Sequence, residues 1–336
     1  MNILVTGAAG FIGYHLCEAL LAEGHRVVGV DSFNDYYAPL LKTRRHAQLE
    51  GRDGYRGVKL DVAEYEPLRA LVRDESIELI CHLAAQAGVR YSLENPFAYQ
   101  QANLQGFLNI LETCRHEGIE RLVYASSSSV YGGNEKLPFS ETDDVGRPVS
   151  LYAATKRSNE LMAHCYTHLY KFQTVGLRFF TVYGPWGRPD MAYWLFTEAI
   201  SDGRPISVFN HGKMMRDFTY VDDIVAGVKA SLFAGSLDRH EILNLGNHQS
   251  EPLPELIEAI AAELGVEPVM EYKPMQPGDV PATYADIDRA KSKLGFEPKT
   301  RLRDGIRAFI DWYKTHPEIA TAVKESRHPA GTGAAS

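Results

Sequence analysis

The chain has 336 residues, of which 45% are hydrophobic and 23% are charged, a globular composition that excludes a disordered or coiled-coil chain. Its 35 Lys and Arg residues against 43 Asp and Glu residues give a net charge of −8, which disfavours binding to nucleic acid. No apolar run reaches the roughly 18 residues of a membrane-spanning helix, and no signal-peptide pattern is present. We therefore expect a cytoplasmic protein of about two domains, with no nucleic-acid or membrane partner.

Short apolar segments alternate with longer amphipathic ones in the first half of the chain. The segments predicted to be strands are Ile3–Thr6, Arg26–Val30, Val58–Leu60, Leu79–Leu83, Leu122–Ser126 and Val175–Phe179. Those predicted to be helices are Phe11–Ala22, Glu64–Asp74, Phe97–His116 and Tyr152–Tyr170. Strands that are apolar throughout and are separated by helices indicate a doubly wound parallel sheet of the α/β (Rossmann) class, covered on both faces.

The turn between the first predicted strand and the first predicted helix is rich in glycine. It contains Gly7, Gly10, Phe11, Ile12 and Gly13. Glycines at such a turn allow a pyrophosphate to approach the helix N-terminus closely. Because a strand precedes the turn and a helix follows it, we predict that it binds a dinucleotide cofactor.

Three further strand ends extend the predicted cofactor site. Asp31 ends the second strand, where a carboxylate can accept hydrogen bonds from the adenosine ribose and would repel a ribose phosphate, so NAD is favoured over NADP. Asp61 and Val62 follow the third strand, where an adenine edge can be read. The fourth strand is followed by small residues that let a cofactor pass closely, and the predicted contacts there are Leu83, Ala84 and Ala85.

Candidate catalytic residues follow in a later helix and at the end of the fifth strand. Tyr152 and Lys156 are four positions apart, so both lie on one face of the predicted helix. A lysine ammonium near a tyrosine favours the phenolate, which can act as a base. The serine run 126–129 ends the fifth strand, at the edge where open α/β sheets bind ligands.

The pattern changes after Tyr183, where the turn-forming segment 184–189 leads into shorter helices. The predicted helices are Val221–Phe233, Pro254–Leu264 and Leu302–Tyr313. Neither the four cysteines nor the 12 histidines show a metal-ligand spacing, so we predict no metal site.

The predicted domain division follows from this change. Residues 1–182, joined by part of 217–247, are predicted to form an NAD-binding domain. Residues 183–325 are predicted to form a smaller mixed α/β substrate domain, and residues 326–336 a disordered tail.

Four motifs together resemble those of the extended short-chain dehydrogenase/reductase family, and within it the nucleotide-sugar 4-epimerases. The motifs are TGAAGFIG, the serine run before VYG, YAATK and RDFTYVDD, and the resemblance covers about residues 1–316. It implies bound NAD and a triad of Ser127, Tyr152 and Lys156, with Tyr152 as the base and Lys156 also contacting the cofactor. It further implies that Asn103 supports the cofactor site and that the protein is a homodimer.

Residues beside the triad distinguish the reactions of related enzymes. Nucleotide-sugar 4,6-dehydratases carry Asp-Glu before VYG and UDP-glucuronate decarboxylases carry Glu there, whereas this chain has Ser128 and Ser129. The stretch 178–192 is instead similar to that of the UDP-glucuronate 4-epimerases. This resemblance implies NAD-dependent conversion of UDP-glucuronate to UDP-galacturonate through a 4-keto intermediate, by transient hydride transfer to bound NAD, in polysaccharide biosynthesis. Another UDP-sugar 4-epimerase, a UDP-glucuronate decarboxylase, a dehydratase and a non-catalytic NAD-binding regulator are the alternatives.

The predicted substrate contacts for the sugar carboxylate are hydroxyl groups and one arginine. Ser127, Ser128 and Thr181 can surround the carboxylate with hydroxyl donors, and Arg188 can add charge-assisted hydrogen bonds.

Other predicted contacts concern the nucleotide. The resemblance implies that Arg216 contacts the diphosphate and that Asp279 binds the uridine ribose. Gln276 stands where galactose-type epimerases often carry arginine, so a phosphate contact there is open. Arg90 lies on a loop after the fourth strand, where a substrate contact and a structural salt bridge are equally open.

Overall fold

The computed structural model describes residues 1–275 and 280–327. The strands in these ranges are β1 (Asn2–Thr6), β2 (Arg26–Asp31), β3 (Tyr55–Lys59), β4 (Leu79–His82), β5 (Arg121–Ser127), β6 (Gln173–Phe179), β7 (Thr181–Tyr183), β8 (Ile206–Val208), β9 (Met215–Arg216), β10 (Phe218–Tyr220), β11 (His240–Leu245), β12 (Glu251–Pro252) and β13 (Met270–Tyr272). The helices are α1 (Phe11–Ala22), α2 (Pro39–Leu49), α3 (Tyr65–Asp74), α4 (Tyr91–Glu94), α5 (Pro96–Tyr99), α6 (Gly106–Glu117), α7 (Leu151–Tyr170), α8 (Ala192–Ser201), α9 (Val221–Phe233), α10 (Leu253–Leu264), α11 (Asp288–Leu294), α12 (Leu302–Thr315) and α13 (Pro317–Arg327).

Seven of the described strands form one sheet in the order β11-β6-β5-β4-β1-β2-β3. All neighbouring strands in this sheet are parallel. The strand order reverses between β1 and β4, and this reversal opens a crevice at the carboxyl ends of the strands. The predicted doubly wound α/β fold is therefore confirmed.

Neighbouring residues of β1 enter two separate cores, because successive side chains of a strand point to opposite faces of the sheet. Ile3 and Val5 pack in the core that also contains α1 and α9. Leu4 packs in the other core with Leu68 of α3 and Ile110 of α6. Burial on both faces explains why the strands are apolar throughout, and it leaves the carboxyl edge of the sheet for polar side chains.

One predicted helix is interrupted in a way that shapes the site. The segment Phe97–His116 contains α5, a π-helical turn over Gln100–Gln105, and α6. The π-helical turn holds the buried Asn103. Hydrophobic periodicity does not reveal such a turn, since it adds only one residue to a helical turn.

Helices α2 and α8 lack a clear amphipathic pattern and are not predicted from the sequence. In α2 the charged residues Lys42 and Arg45 are buried beside Leu41 and Leu49. In α8 the residues from Tyr193 to Ile200 are nearly all buried, so no polar face marks the helix.

The chain returns to the main sheet after the predicted boundary near residue 182, since β11 pairs with β6. Residues between and after these strands also form two-stranded sheets, β10 with β7, β12 with β9 and β13 with β8. The pairing of β10 with β7 sets Phe218 opposite Thr181 and brings the RDFTYVDD motif to the carboxyl edge of the sheet. The division into two domains stays a prediction.

The C-terminal part of the described chain is helical. Helix α13 includes Ser326 and Arg327, the first two residues of the predicted disordered tail. Residues 328–336 of that tail lie outside the described residues. Within the described ranges, no helix is both long enough and apolar enough to cross a membrane.

Candidate functional site

The turn between β1 and α1 is folded tightly against neighbouring strands. Gly7 has a φ of +72°, and its N–H donates a hydrogen bond to the carbonyl oxygen of Val30 at 2.7 Å. A Cβ atom on Gly7 would lie 2.8 Å from the backbone nitrogen of Ala84. A Cβ atom on Gly13 would collide with the carbonyl oxygen of Gly7. The turn therefore requires glycine at both positions, and it directs the N-terminus of α1 into the crevice.

The N-terminus of α1 is suited to bind an anion. Its N-cap, Gly10, provides no side-chain hydrogen bond, and the first turn contains no acidic residue. The first N–H groups of a helix have no intrahelical acceptor and carry a partial positive charge. A cofactor pyrophosphate fits this end of the helix.

Two carboxylates near this turn are oriented by the backbone. Asp31 accepts hydrogen bonds from the backbone nitrogens of Ala9 at 3.1 Å and Phe33 at 2.8 Å. Asp61 accepts one from the backbone nitrogen of Ala63 at 2.9 Å. Each carboxylate oxygen can accept more than one hydrogen bond, so both groups still have capacity for ligand hydroxyl or amino groups.

One cavity of about 910 Å³ connects these groups with the predicted catalytic residues. The predicted cofactor residues that line it are Gly7, Gly10, Phe11, Ile12, Gly13, Asp31, Asp61, Val62, Leu83, Ala84, Ala85, Tyr152 and Lys156. The predicted substrate residues that line it are Ser127, Ser128, Thr181 and Arg188. Asn103, Arg90 and Arg216 are not part of this lining, and Gln276 and Asp279 lie outside the described residues.

The three predicted catalytic residues meet at the end of β5. The Nζ atom of Lys156 donates a hydrogen bond to the carbonyl oxygen of Ala125 at 2.9 Å, and burial lowers the pKa of Lys156 to about 8. Burial raises the pKa of Tyr152, although a hydrogen bond with Ser127 and the positive charge of Arg188 act in the opposite direction. The phenol is therefore protonated at neutral pH when no ligand is bound.

Asn103 supports the site from behind the cavity. Its side chain donates to the carbonyl oxygen of Gln86 and to the hydroxyl of Thr155, both at 3.0 Å, and accepts from the backbone nitrogen of Gln86 at 2.8 Å. Asn103 thus ties the loop after β4 to α7, the helix that carries the tyrosine and the lysine. Its contact with the cofactor itself stays a prediction.

A buried ion pair lies below the triad and joins α7 to the sheet. Glu160 accepts hydrogen bonds from Arg178 of β6 at 2.8 and 3.0 Å, and their side chains are only 1% and 2% exposed. The hydroxyl of Ser126 donates to Glu160 at 2.6 Å, and Arg178 also donates to the hydroxyl of Tyr131 at 3.0 Å. The pair therefore fixes the end of β5, where Ser127 is located, against α7. Sequence reasoning did not identify either member.

The predicted carboxylate site contains an arginine that already has an acidic partner. Arg188 donates from Nε and NH2 to the two carboxylate oxygens of Asp190, at 3.1 and 2.5 Å. The hydroxyl of Tyr36 also donates to Asp190, at 3.2 Å. Thr181 begins β7 nearby, where its backbone nitrogen donates to the carbonyl oxygen of Asp217 at 3.1 Å.

Two predicted substrate arginines are not among the residues that line the cavity. The guanidinium of Arg90 lies over the ring of Phe209, 5.8 Å from its centroid. Arg216 donates from NH1 to the carbonyl oxygens of Met215 and Pro281, at 2.9 and 3.3 Å. Their contacts with substrate stay predictions.

The segment after β2 also lines the cavity and was missed by sequence reasoning. Tyr36 and Lys42 contribute to the lining, and burial lowers the pKa of Lys42 to about 8. The fully buried Arg45 donates to the carbonyl oxygens of Ala9 and Gly187, both at 3.0 Å. Arg45 thus joins the glycine turn to the loop that carries Arg188. The available signal was a group of aromatic and basic residues directly after the second strand.

The donor set fits NAD. The glycine turn and the N-terminus of α1 suit a pyrophosphate, Asp31 suits a ribose, and the same cavity reaches Tyr152 and Lys156. In the described ranges, no group of three or more His, Cys, Asp and Glu side chains is arranged to hold a metal ion.

Comparisons with known proteins agree with this geometry. The model of the NAD dependent epimerase/dehydratase family matches residues 3–246. Protein CapI of Staphylococcus aureus is 50% identical over 329 residues, and the match covers 93% of this chain and 98% of that protein. A probable UDP-glucuronate 4-epimerase of Rhizobium meliloti is 45% identical over 330 residues, covering 93% of this chain and 97% of that protein.

A solved structure is also similar over nearly the whole chain. It is the UDP-glucuronic acid 4-epimerase from Bacillus cereus in complex with UDP-glucuronic acid and NAD. The two chains are 35% identical with a TM-score of 0.89, and the match covers 94% of this chain and 99% of that one.

Proposed function

This chain belongs to the NAD-dependent epimerase/dehydratase family, and we propose that it converts UDP-glucuronate to UDP-galacturonate by inverting carbon 4 of the sugar. The observation that carries the proposal is the shared cavity, in which the triad stands beside a set of hydroxyl groups and one arginine. The similarity to proteins named as UDP-glucuronate 4-epimerases supports the same substrate.

The triad supplies the proton chemistry. In the complex, the positive charges of the Lys156 ammonium and of a bound nicotinamide would favour the Tyr152 phenolate. The phenolate takes the proton from the sugar 4-hydroxyl, and Ser127 positions it through their hydrogen bond. Lys156 is fixed by its hydrogen bond to the carbonyl oxygen of Ala125 and would bind the cofactor ribose. The glycine turn, Asp31 and Lys156 would hold NAD, which would supply the reversible hydride acceptor that inversion at carbon 4 requires.

The hydroxyl groups of Ser127, Ser128 and Thr181 hold the sugar carboxylate, together with Arg188. A carboxylate beside a 4-keto group forms a β-keto acid, which loses carbon dioxide when the bond that breaks aligns with the ketone π system. We hypothesise that these donors hold the carboxylate away from that alignment. UDP-glucuronate decarboxylases carry Glu where this chain has Ser129, and nucleotide-sugar 4,6-dehydratases carry Asp-Glu where it has Ser128 and Ser129. The acid–base group of either reaction is therefore absent from these positions.

The remaining proposals concern the nucleotide and the assembly. Arg216 and Asp279 are proposed to bind the UDP moiety, and a homodimer is proposed through a helical interface that includes α7. The exposed apolar side chains of Leu161 and Leu169 on α7, with 52% and 62% of their surface accessible, support such a helical interface. A cytoplasmic location and a role in polysaccharide biosynthesis stay predictions.

Incubation of the purified protein with UDP-glucuronate and no added NAD tests the function. We expect a product of unchanged mass that co-elutes with UDP-galacturonate. A product lighter by the mass of carbon dioxide or of water would show that the protein is a decarboxylase or a dehydratase and not an epimerase. The control is Tyr152→Phe, which removes the base, and unchanged turnover by this variant would contradict the proposed mechanism.

A further inference from the structure

Arg188, which lines the cavity, forms an ion pair with Asp190. Two nitrogens of the arginine bond to the two oxygens of the aspartate, which is the paired geometry of a strong charge-assisted interaction. The side chain of Arg188 is 25% exposed and that of Asp190 is 29% exposed, so the pair is partly shielded from water. The arginine that faces the sugar site therefore has its charge matched and two of its nitrogens engaged within the protein.

Asp190 is also held from a distant segment. Tyr36, which follows β2, donates its hydroxyl to Oδ2 of Asp190, and its ring centroid lies 4.8 Å from that of Tyr91. A side chain at Gly88 would collide with this hydroxyl, since a Cβ atom there would lie 2.5 Å from it. The carboxylate is thus fixed by two partners from different parts of the chain, unlike a mobile surface ion pair.

The reaction sets a limit on how tightly the sugar carboxylate can be held. Inversion requires that the 4-keto sugar present both faces in turn to the same catalytic groups, so the sugar must leave its first position. A paired bond from Arg188 to the sugar carboxylate would have to break at this step. An interaction that is equally strong in the ground state and in the transition state lowers KM without raising kcat.

We propose that Asp190 is a positioning residue that determines substrate specificity. It occupies the Nε and NH2 atoms of Arg188, so Arg188 cannot form a bidentate salt bridge with the sugar carboxylate. This proposal rests on the proposed function. The carboxylate is then held by the hydroxyl groups and by the remaining nitrogen of Arg188. Arg188 donates to Asp190 from Nε and NH2, and its NH1 atom makes no hydrogen bond within the described residues. The site therefore still recognises the negative charge of the substrate, but it holds the sugar carboxylate loosely enough for the 4-keto sugar to rotate.

Substitution of Asp190 by Asn removes the charge and keeps the shape of the side chain. The test is the affinity for UDP-glucuronate and for UDP-glucose, measured by calorimetry in a Tyr152→Phe background that prevents turnover. We expect Asp190→Asn to tighten UDP-glucuronate about tenfold, equivalent to about 1.4 kcal/mol, and to change UDP-glucose by less than about twofold. With Tyr152 intact, kcat and KM for UDP-glucuronate should fall together.

The matched control lies at the other end of α8. Asp202 is also 29% exposed and forms an ion pair with Arg204 two positions along the chain. Its partner Arg204, unlike Arg188, does not line the cavity, so Asp202→Asn should leave the ratio of the two affinities unchanged. Asp190→Glu keeps the charge and should restore most of the native ratio.

The other outcomes overturn the proposal in different ways. Equal weakening of both ligands by Asp190→Asn would mean that Asp190 only stabilises the loop before α8. Weakening of UDP-glucuronate alone would mean that Asp190 aims Arg188 at the carboxylate instead of withholding it. If the native chain converts UDP-glucuronate and the ratio does not change, the Asp190 proposal alone fails. If the native chain neither binds nor converts UDP-glucuronate, the proposed function fails as well.

Discussion

The two ends of the cavity are built in different ways. At the cofactor end, one continuous stretch of chain forms the turn from Gly7 to Gly13, and the site there is formed mainly by backbone groups. At the sugar end, side chains from separate segments hold each other: Arg178 of β6 pairs with Glu160 of α7, and Tyr36 bonds to the Asp190 that pairs with Arg188. The first end is determined by local backbone geometry, whereas the second depends on contacts that exist only in the folded chain.

This contrast explains how much the sequence could predict. The glycine turn was predicted because its residues are adjacent and because only glycine permits its geometry. The parallel sheet was predicted because two-sided burial makes its strands apolar. Asp190 was missed because its importance depends on Arg188 and on Tyr36, and Tyr36 lies 154 positions away along the chain.

The sequence also could not show how the triad is supported. Tyr152 and Lys156 are close in the sequence, and a family motif marks them. Asn103 fixes their helix from inside a π-helical turn that has no periodic signature. Pairings of this kind between distant polar side chains are not encoded by spacing or composition.

The largest expected effect is at the cofactor end. Gly13→Ala places a Cβ atom against the carbonyl oxygen of Gly7, so the turn must open and NAD binding should be lost. The NAD content of the purified protein, read by absorbance after denaturation, checks this. Gly235→Ala is the control, because a Cβ atom there meets nothing within 4 Å. A native NAD content in Gly13→Ala would contradict the backbone-based description of this end.

The next largest effect should come from the buried pair at the sugar end. Glu160→Gln leaves the Arg178 guanidinium buried without its counter-charge, which should lower the free energy of unfolding by about 3–5 kcal/mol. Denaturant unfolding measures it. Removal of Arg157, an outer partner of Glu160 that is 31% exposed, should cost about 1 kcal/mol or less. Equal losses in the two variants would show that the buried pair is no more important than a surface one.

A pH-dependent difference should appear at Asp217, behind Thr181. Burial raises its pKa from 3.8 to about 6, although bonds from Asn247, Ala285 and Thr219 oppose the shift. Because the folded-state pKa is raised, its contribution to stability is fully present below about pH 4 and is lost as the pH rises through about 6. The shift corresponds to roughly 3 kcal/mol.

Asp217→Asn tests this expectation. The difference in the free energy of unfolding between the native chain and the variant should change across pH 4–6 and be constant above pH 7. A difference that does not vary with pH would exclude a titrating carboxyl at this position. Activity assays are not needed for this comparison.

The smallest expected effect concerns Thr181. Thr181→Ala removes one of the proposed hydroxyl donors to the sugar carboxylate, and we expect kcat/KM for UDP-glucuronate to fall about tenfold. Some UDP-pentose should also appear, because the carboxylate can then reach the alignment that releases carbon dioxide. Thr321→Ala, an exposed position on α13, is the control. Lost epimerisation with no pentose product would refute the anchoring role.

The most direct test of the central claim uses UDP-glucuronate that carries deuterium at carbon 4. A cofactor that stays bound and a single tyrosine base imply that the hydrogen removed from carbon 4 is the one returned to it. We therefore predict UDP-galacturonate of unchanged mass that keeps the deuterium at carbon 4, with no NAD added. Replacement of the deuterium by hydrogen from water, or release of carbon dioxide in place of inversion, would contradict the redox-neutral epimerisation proposed for this chain.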